Sequence, residues 1–248
     1  MKQKRSFELS SFALHILAMA FMLCDHLWAT VIPGNEWLTC IGRLAFPIFA
    51  FLIVEGYFHT KNLKQYVLRL LIFSAVSEIP FNLMTGAAPI NPVHQNVLWT
   101  FLIGIGLIRL IEWAKSAPHN VWRWLLAGLG ILFGCLIAMF GMTDYMHFGV
   151  LTVLVFYLFR GRKWWCLAGQ ILLLWYIHFE MAGGIVYPFE FLGRDFSFPQ
   201  QGFAILSLIL IWLYRGKQGL YNKTLKYTYY LFYPVHLLML YLLMVLTR

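Results

Sequence analysis

An all-α, polytopic membrane bundle of about nine transmembrane helices is the fold class this sequence predicts, and three observations predict it. The 248-residue chain is 61% hydrophobic and only 12% charged, where soluble domains carry about 25% charged residues. Apolar runs long enough to cross a bilayer recur along its whole length. Its cations fall in short clusters between those runs, at the N-terminus and in every second loop. No loop is long enough to hold a folded domain, so residues 1–248 read as one transmembrane domain.

The first run, 11–31, follows Lys2, Lys4 and Arg5. It is too long for a signal-peptide core and lacks a cleavage site, so it reads as a retained helix. Large Met22 and Leu23 before Cys24 argue against a lipoprotein signal. The second run, 37–57, returns after the turn Pro33-Gly34-Asn35, which makes the first two helices antiparallel neighbours. The remaining runs are 66–85, 96–113, 124–141, 146–159, 164–181, 201–214 and 228–246, of which the sixth and eighth are short. The longest loop, 181–200, is rich in Gly, Pro and Phe and carries no predicted element.

Lys2, Lys4 and Arg5, then Lys61, Lys64 and Arg69, then Arg109, Lys115 and Arg123 occupy one set of loops. Arg160, Arg162 and Lys163, and Arg215, Lys217, Lys223 and Lys226 complete the set. The alternate loops hold almost no cations beyond Arg194, with Arg248 at the far end. Positive charge favours the cytoplasmic side, which predicts a cytoplasmic N-terminus and an extracytoplasmic C-terminus. The expected location is the bacterial cytoplasmic membrane, with the lipid bilayer as partner. The same placement excludes nucleic acid as the reason for the net charge of +9. Aromatic residues, at 18%, exceed what interface belts require and so must also pack inside the bundle. Cys24, Cys40, Cys135 and Cys166 have no metal-ligand spacing and read as small buried hydrophobes.

Against this background the ionisable residues inside apolar runs stand out, because burying charge in a membrane is costly and marks function by default. Asp25, His26, Arg43 and Glu55 lie within the first two helices. His26 falls about 22 Å into its span, in the outer third. Arg43 enters the next helix from outside, so Asp25, His26 and Arg43 meet at similar depth. Ser74, Glu78 and Asn82 share a face of the third span, and Asn96, Thr100 and Gly104 a face of the fourth. Asp144 and Tyr145 open the sixth, and Tyr229, Tyr233 and His236 form a stripe beside Pro234 in the last. Blander readings exist for most of these. Arg43 and Glu78 would serve equally as a packing ion pair, Asn96 and Thr100 as interhelical bonds, Asp144 as a loop carboxylate and His15 as a packing residue. Glu55, about 18 Å further in than Arg43, would snorkel or pair with Arg69 or another cytoplasmic-side cation. The Asp25–His26 pair resists such a reading best.

Histidine near neutrality can take a proton from an attacking amine or hydroxyl. Asp25 and His26 point about 100° apart on an ideal helix, so Glu78 or Asp144 is an alternative orienter of the ring. Arg43 or Asn96 would stabilise an oxyanion. Such a set suits acyl transfer from a thioester. Cysteines in apolar surroundings make poor nucleophiles.

The run from Ile41 to Asn82, IGRLAFPIFAFLIVEGYFHTKNLKQYVLRLLIFSAVSEIPFN, resembles the signature of the TraX family of membrane acyltransferases. So do Asp25-His26 upstream, Asn96 with Thr100, and the run from Tyr230 to His236, in order over nearly the full chain. The family is named for a conjugative-plasmid protein that acetylates the pilin N-terminus, and it is similar in layout to transmembrane acyltransferases that use cytosolic acyl-CoA. The resemblance implies that His26 and Asp25 are the catalytic pair, and that Arg43, Glu55, Glu78, Asn96 and His236 line the site. It implies no permanently bound cofactor and no metal. Acetyl-CoA or another acyl-CoA would be the co-substrate, and an extracytoplasmic protein or glycan the acceptor. Thr100, Asp144 and Tyr233 are expected near the acceptor. The phosphates of CoA are expected at Lys61, Lys64, Arg69 and Arg109, with Glu55 and Gly104 along the path of its pantetheine arm. A proton-coupled transporter is the competing reading, although no internal repeat is evident. A non-catalytic scaffold is a third.

Overall fold

The computed structural model describes residues 8–191 and 193–247; the N-terminal cations Lys2, Lys4 and Arg5, and Arg248, lie outside the described residues. Helix α1, Ser11–Thr30, begins at Ser10, whose hydroxyl accepts the Ala13 amide. The next apolar run folds as α2, Glu36–Gly42, and α3, Ala45–His59, separated by a break at Arg43 and Leu44. Helix α4, Leu63–Gly86, starts on an Asn62 cap, contains Pro80 and ends at Ala87 in the left-handed region. Helices α5, Val97–Ala114, and α6, Asn120–Phe140, follow. Helix α7 is Met146–Leu158, and α8, Trp164–Trp175, runs into a π-helical turn, Tyr176–Met181. A 3₁₀ turn, Gln200–Leu206, leads into α9, Ser207–Leu213, and the chain closes with α10, Lys223–Leu246, which contains Pro234.

Every predicted apolar run is helical, but among the described residues six spans, counting α2 and α3 as one, are long and apolar enough to cross a membrane, against about nine expected. Helix α7 shows why length is relaxed for the others. Its 13 residues reach about 20 Å, short of the ~30 Å of hydrocarbon. From Gly149 to Tyr157 it is buried apart from Leu151, surrounded by α3, α5, α6 and α8. A helix solvated by protein need not match the bilayer.

The expectation of a purely helical chain needs one correction. Strands β1, Val186–Phe191, and β2, Arg194–Pro199, form an antiparallel hairpin in the loop that carried no predicted element. Pro188 hid it, since proline inside a run argues against a strand. Stacked Phe189 and Phe196 rings hold the register. The Tyr187 hydroxyl donates to Glu36 at 2.8 Å, which ties the hairpin to the start of α2.

Small residues set the close approaches. On α6, a Cβ at Gly130 would meet Leu110 at 2.1 Å and one at Gly134 would meet Leu107 at 3.3 Å. Packing of this kind replaces the hydrophobic drive that lipid removes. Gly42 matters most to the site, because a Cβ there would lie 2.4 Å from that of Asp25.

The bundle has two distinct ends. At one, the start of α1 bonds to the segment after α9 through Ser11 N–H to Lys217 O at 2.8 Å, and Arg162 reaches the carbonyls of Trp212 and Tyr214. The cations of 160–163 and 215–226 gather there. At the opposite end, Gln95 N–H bonds Met142 O at 2.8 Å, which brings the start of α5 to that of α7.

Candidate active site

Helices α1 and α10 bring two imidazoles together. His26 Nδ1 lies 2.7 Å from His236 Nε2, and the rings are within 8° of parallel. His236 Nδ1 is 2.7 Å from the Phe232 carbonyl. A carbonyl only accepts, so His236 Nδ1 carries a hydrogen. With the pair uncharged, His236 Nε2 is then a bare acceptor and His26 Nδ1 donates to it. The tautomers are thus assigned from the network. His26 Nε2 is left with a free lone pair and no partner among the described residues. The charged groups near enough to act on this ring are Asp25, Asp144 and Arg43.

Asp25 does a different job from the one its sequence position suggests. Its Oδ1 accepts from the Arg43 guanidinium and, at 2.7 Å, from the Thr39 hydroxyl. Arg43 Nη2 also lies 3.3 Å from Thr39 Oγ1. Adjacent residues on a helix diverge, so Asp25 orients Arg43 while His236 orients His26. The break between α2 and α3 places Arg43 at this junction, and Gly42 lets α2 press against Asp25. Arg43 Nε is buried with no partner among the described residues. Its charge acts on the His26 ring, and an unused charged donor within electrostatic reach of a base suits stabilisation of a developing oxyanion.

Glu78 and Asn96 form a second network. Glu78 Oε1 accepts from the Asn96 amide N–H at 3.1 Å, from the Asn96 side chain, and from Trp99 Nε1 at 2.6 Å. Asn96 gives its second side-chain N–H to Ser74 O at 2.9 Å and accepts from Leu98 N–H, capping α5. Asn96 therefore has no donor left for a substrate, which removes it as an oxyanion partner. Asp144, at the head of α7, pairs with His94 at 3.1 Å. That hydrogen bond holds His94 above its usual range, against partial desolvation. Tyr145 stacks on Phe46 at 3.7 Å.

A cavity of about 480 Å³ leads to this place from the basic end. It is bordered there by Thr60, Arg69, Gln218 and Lys226, and it ends at Met22, Val97, Phe232 and Tyr233. Met22 and Phe232 each precede a paired histidine by four residues, so the far end lies one helical turn from both His26 and His236. Along α1 it extends from Ser11 to Met22, about 16 Å.

The structure thus gathers Asp25, His26, Arg43, Asp144 and His236, with Tyr233 beneath them. Thr100 is fully buried, its hydroxyl unpartnered among the described residues and its methyl against Gly149. Glu55 and Arg69 line the cavity, and Glu55 pairs with Arg160 at 2.7 Å rather than with Arg69. Lys61, Lys64 and Arg109 are exposed and line no part of it. Gly104 packs on Val153 instead, where a Cβ would meet a methyl at 2.9 Å. Sequence reasoning missed Thr39, His94 and His178. Thr39 was findable, four residues before Arg43 on one helix face. His178 was findable too, as a histidine inside an apolar run; it is 1% exposed and close enough to feel the Arg43 charge. Nothing local announced the His94–Asp144 pair.

Comparison with known proteins adds two matches. The sequence model of one family, described as "TraX protein", matches residues 10–244. A relative from Dichelobacter nodosus, described as "Probable fimbrial assembly protein FimC, serogroup H1", is 25% identical over 261 residues, covering 95% of this chain and 96% of that protein. No solved structure matches.

Proposed function

The chain belongs to the TraX protein family, and from that premise we propose that it is a membrane-embedded acyltransferase, acetyl being the expected group. The donor is acyl-CoA, which enters from the basic, cytoplasmic end. The acceptor is an amine or hydroxyl at the opposite, extracytoplasmic end of the bundle, in the bacterial cytoplasmic membrane. The fimbrial description of the relative makes a pilin N-terminus the first acceptor to try, with surface glycans next. One observation carries the reading: the cavity from the basic end stops one turn short of a histidine whose Nε2 lone pair is left free.

In the reaction, His26 Nε2 removes the proton of the acceptor as its nitrogen or oxygen attacks the thioester carbonyl. The tetrahedral oxyanion accepts from Arg43 Nε–H, which Asp25 and Thr39 hold in place. Collapse breaks the C–S bond, and the His26 imidazolium returns its proton to the thiolate of CoA. While His26 is charged, its Nδ1–H donates to His236, and Asp25 and Asp144 lie close enough to offset the charge. Only the acyl group changes sides.

The purified chain in lipid nanodiscs, given radiolabelled acetyl-CoA and peptide amine acceptors, should release CoA and label the acceptor. His26→Ala should cut that rate by about 10² to 10⁴. Absence of transfer to every acceptor, together with absence of CoA binding, would sink the proposal.

A further inference from the structure

A second cavity, about 280 Å³, lies beside the first at the basic end. Arg160, Arg162 and Arg215 line it, with Phe51, Trp212 and Tyr214 as apolar wall. Glu55, Tyr214 and Gly216 belong to the walls of both cavities. Three guanidinium groups in so small a space repel one another. Arg162 is held below its usual value by desolvation first and by the Arg215 charge next.

The carboxylates at hand leave the pocket positive. Glu55 meets Arg160 through its Nε at 2.7 Å. Glu8 is near enough to act on Arg162 but bridges Lys217 at 2.6 Å. Arg215 has no ion-pair partner among the described residues. Arg160, Arg162, Arg215 and Lys217 against Glu55 and Glu8 leave about two positive charges, the charge of one phosphate monoester or diphosphate with its sign reversed.

The guanidinium groups are also held in position. Arg162 donates through Nη1 to Tyr214 O at 3.1 Å and through Nη2 to Trp212 O at 3.2 Å, which frees its Nε–H. Arg160 lies over the Phe58 ring at 4.3 Å with its Nε on Glu55, which frees its Nη groups. Planar forks anchored in this way are suited to phosphate oxygens. The cations singled out from sequence are placed differently: Lys61, Lys64 and Arg109 line neither cavity, and Arg69 lines only the larger one.

We infer that the three-arginine pocket seats the phosphate groups of the acyl-CoA donor, whose pantetheine arm crosses the shared wall at Tyr214 and Gly216 into the larger cavity. This rests on the acyltransferase reading above. It assigns donor recognition to the loops after α7 and α9, away from the helices that carry the histidines.

The test compares acetyl-CoA with acetyl-pantetheine, which lacks the phosphates, on the full chain in nanodiscs. Because Arg162 anchors two backbone carbonyls, Arg215→Gln and Arg160→Gln are the informative variants, with Arg69→Gln beside them. In wild type, kcat/KM should favour acetyl-CoA. Arg215→Gln and Arg160→Gln should each lower that preference about tenfold, and calorimetry should show a matching loss of CoA affinity. An unchanged preference in both variants overturns the pocket while leaving the acyltransferase standing. So does a loss confined to Arg69→Gln, which would put the phosphates at the mouth of the larger cavity. A wild-type chain that neither binds CoA nor transfers from either donor removes the underlying reading, and the pocket with it.

Discussion

Asp25 and Glu78 look alike in sequence, each a carboxylate set in an apolar helix, yet their surroundings differ in what they leave unused. Glu78 Oε1 takes three donors, all from the first turn of α5, where a helix N-terminus favours negative charge. Its partner Asn96 is spent as well. Asp25 holds a guanidinium whose Nε has no partner among the described residues and whose charge reaches His26, a histidine with a free lone pair. The first network fixes where a helix starts. It also leaves an acceptor, Glu78 Oε2, buried without a partner among the described residues. The second leaves a charged donor, Arg43 Nε, together with the lone pair of a base, His26 Nε2, and that combination of donor and base is what sets it apart.

That contrast can be broken most sharply at His26. His26→Ala should lose acyl transfer by at least about 10² while thermal unfolding stays near wild type. A variant that keeps its rate would move the chemistry elsewhere. Arg43→Lys retains the charge but not Nε–H, so a 10²- to 10³-fold fall in kcat is expected, on the order of removing one oxyanion donor. His236→Asn should cost about tenfold and shift the pH–rate profile, because His26 then loses the partner that sets its tautomer; a rate loss with an unmoved profile would make His236 mere packing.

On the other side of the comparison, Asn96→Ala should reduce stability by about 0.5–2 kcal/mol, the range for a lost N-cap, with kcat/KM nearly unchanged. Thermal unfolding and kinetics on one preparation would show the split, and the reverse pattern would place Asn96 in the chemistry. The smallest effect belongs to His94 and Asp144. His94 is held above its usual range by Asp144, so the pair's contribution is complete below about pH 6.5 and fades as pH rises through the higher folded-state value. His94→Asn should flatten the melting temperature against pH in that window. Both groups are partly solvated, so the shift should be modest.

Much of the scaffold was readable. Run lengths placed the helices within a few residues, since burial in lipid demands long apolar stretches with internal hydrogen bonds. The hairpin at 186–199 escaped because Pro188 and exposed aromatics imitate a loop. Six of the nine expected spans have the length and composition to cross a bilayer among the described residues, and α7 falls short because it is wrapped in protein, where the bilayer's thickness does not set its length. At the site, depth alone brought Asp25, His26 and Arg43 together. It could not say which of them touch, because neighbours on a helix point apart and their partners come from other segments.

The amino-acid sequence by itself determined that this chain lies in a membrane, where its helices run, and which ionisable residues sit at a depth that needs explaining. Those are consequences of composition and of the 1.5 Å rise, which act locally. Only the tertiary structure decided that His236 rather than Asp25 holds His26, that Asn96 is a cap, and that Arg160, Arg162 and Arg215 share a pocket. Hydrogen bonds are satisfied pairwise across the fold, between residues as far apart as His26 and His236, and no local pattern records which pairs form.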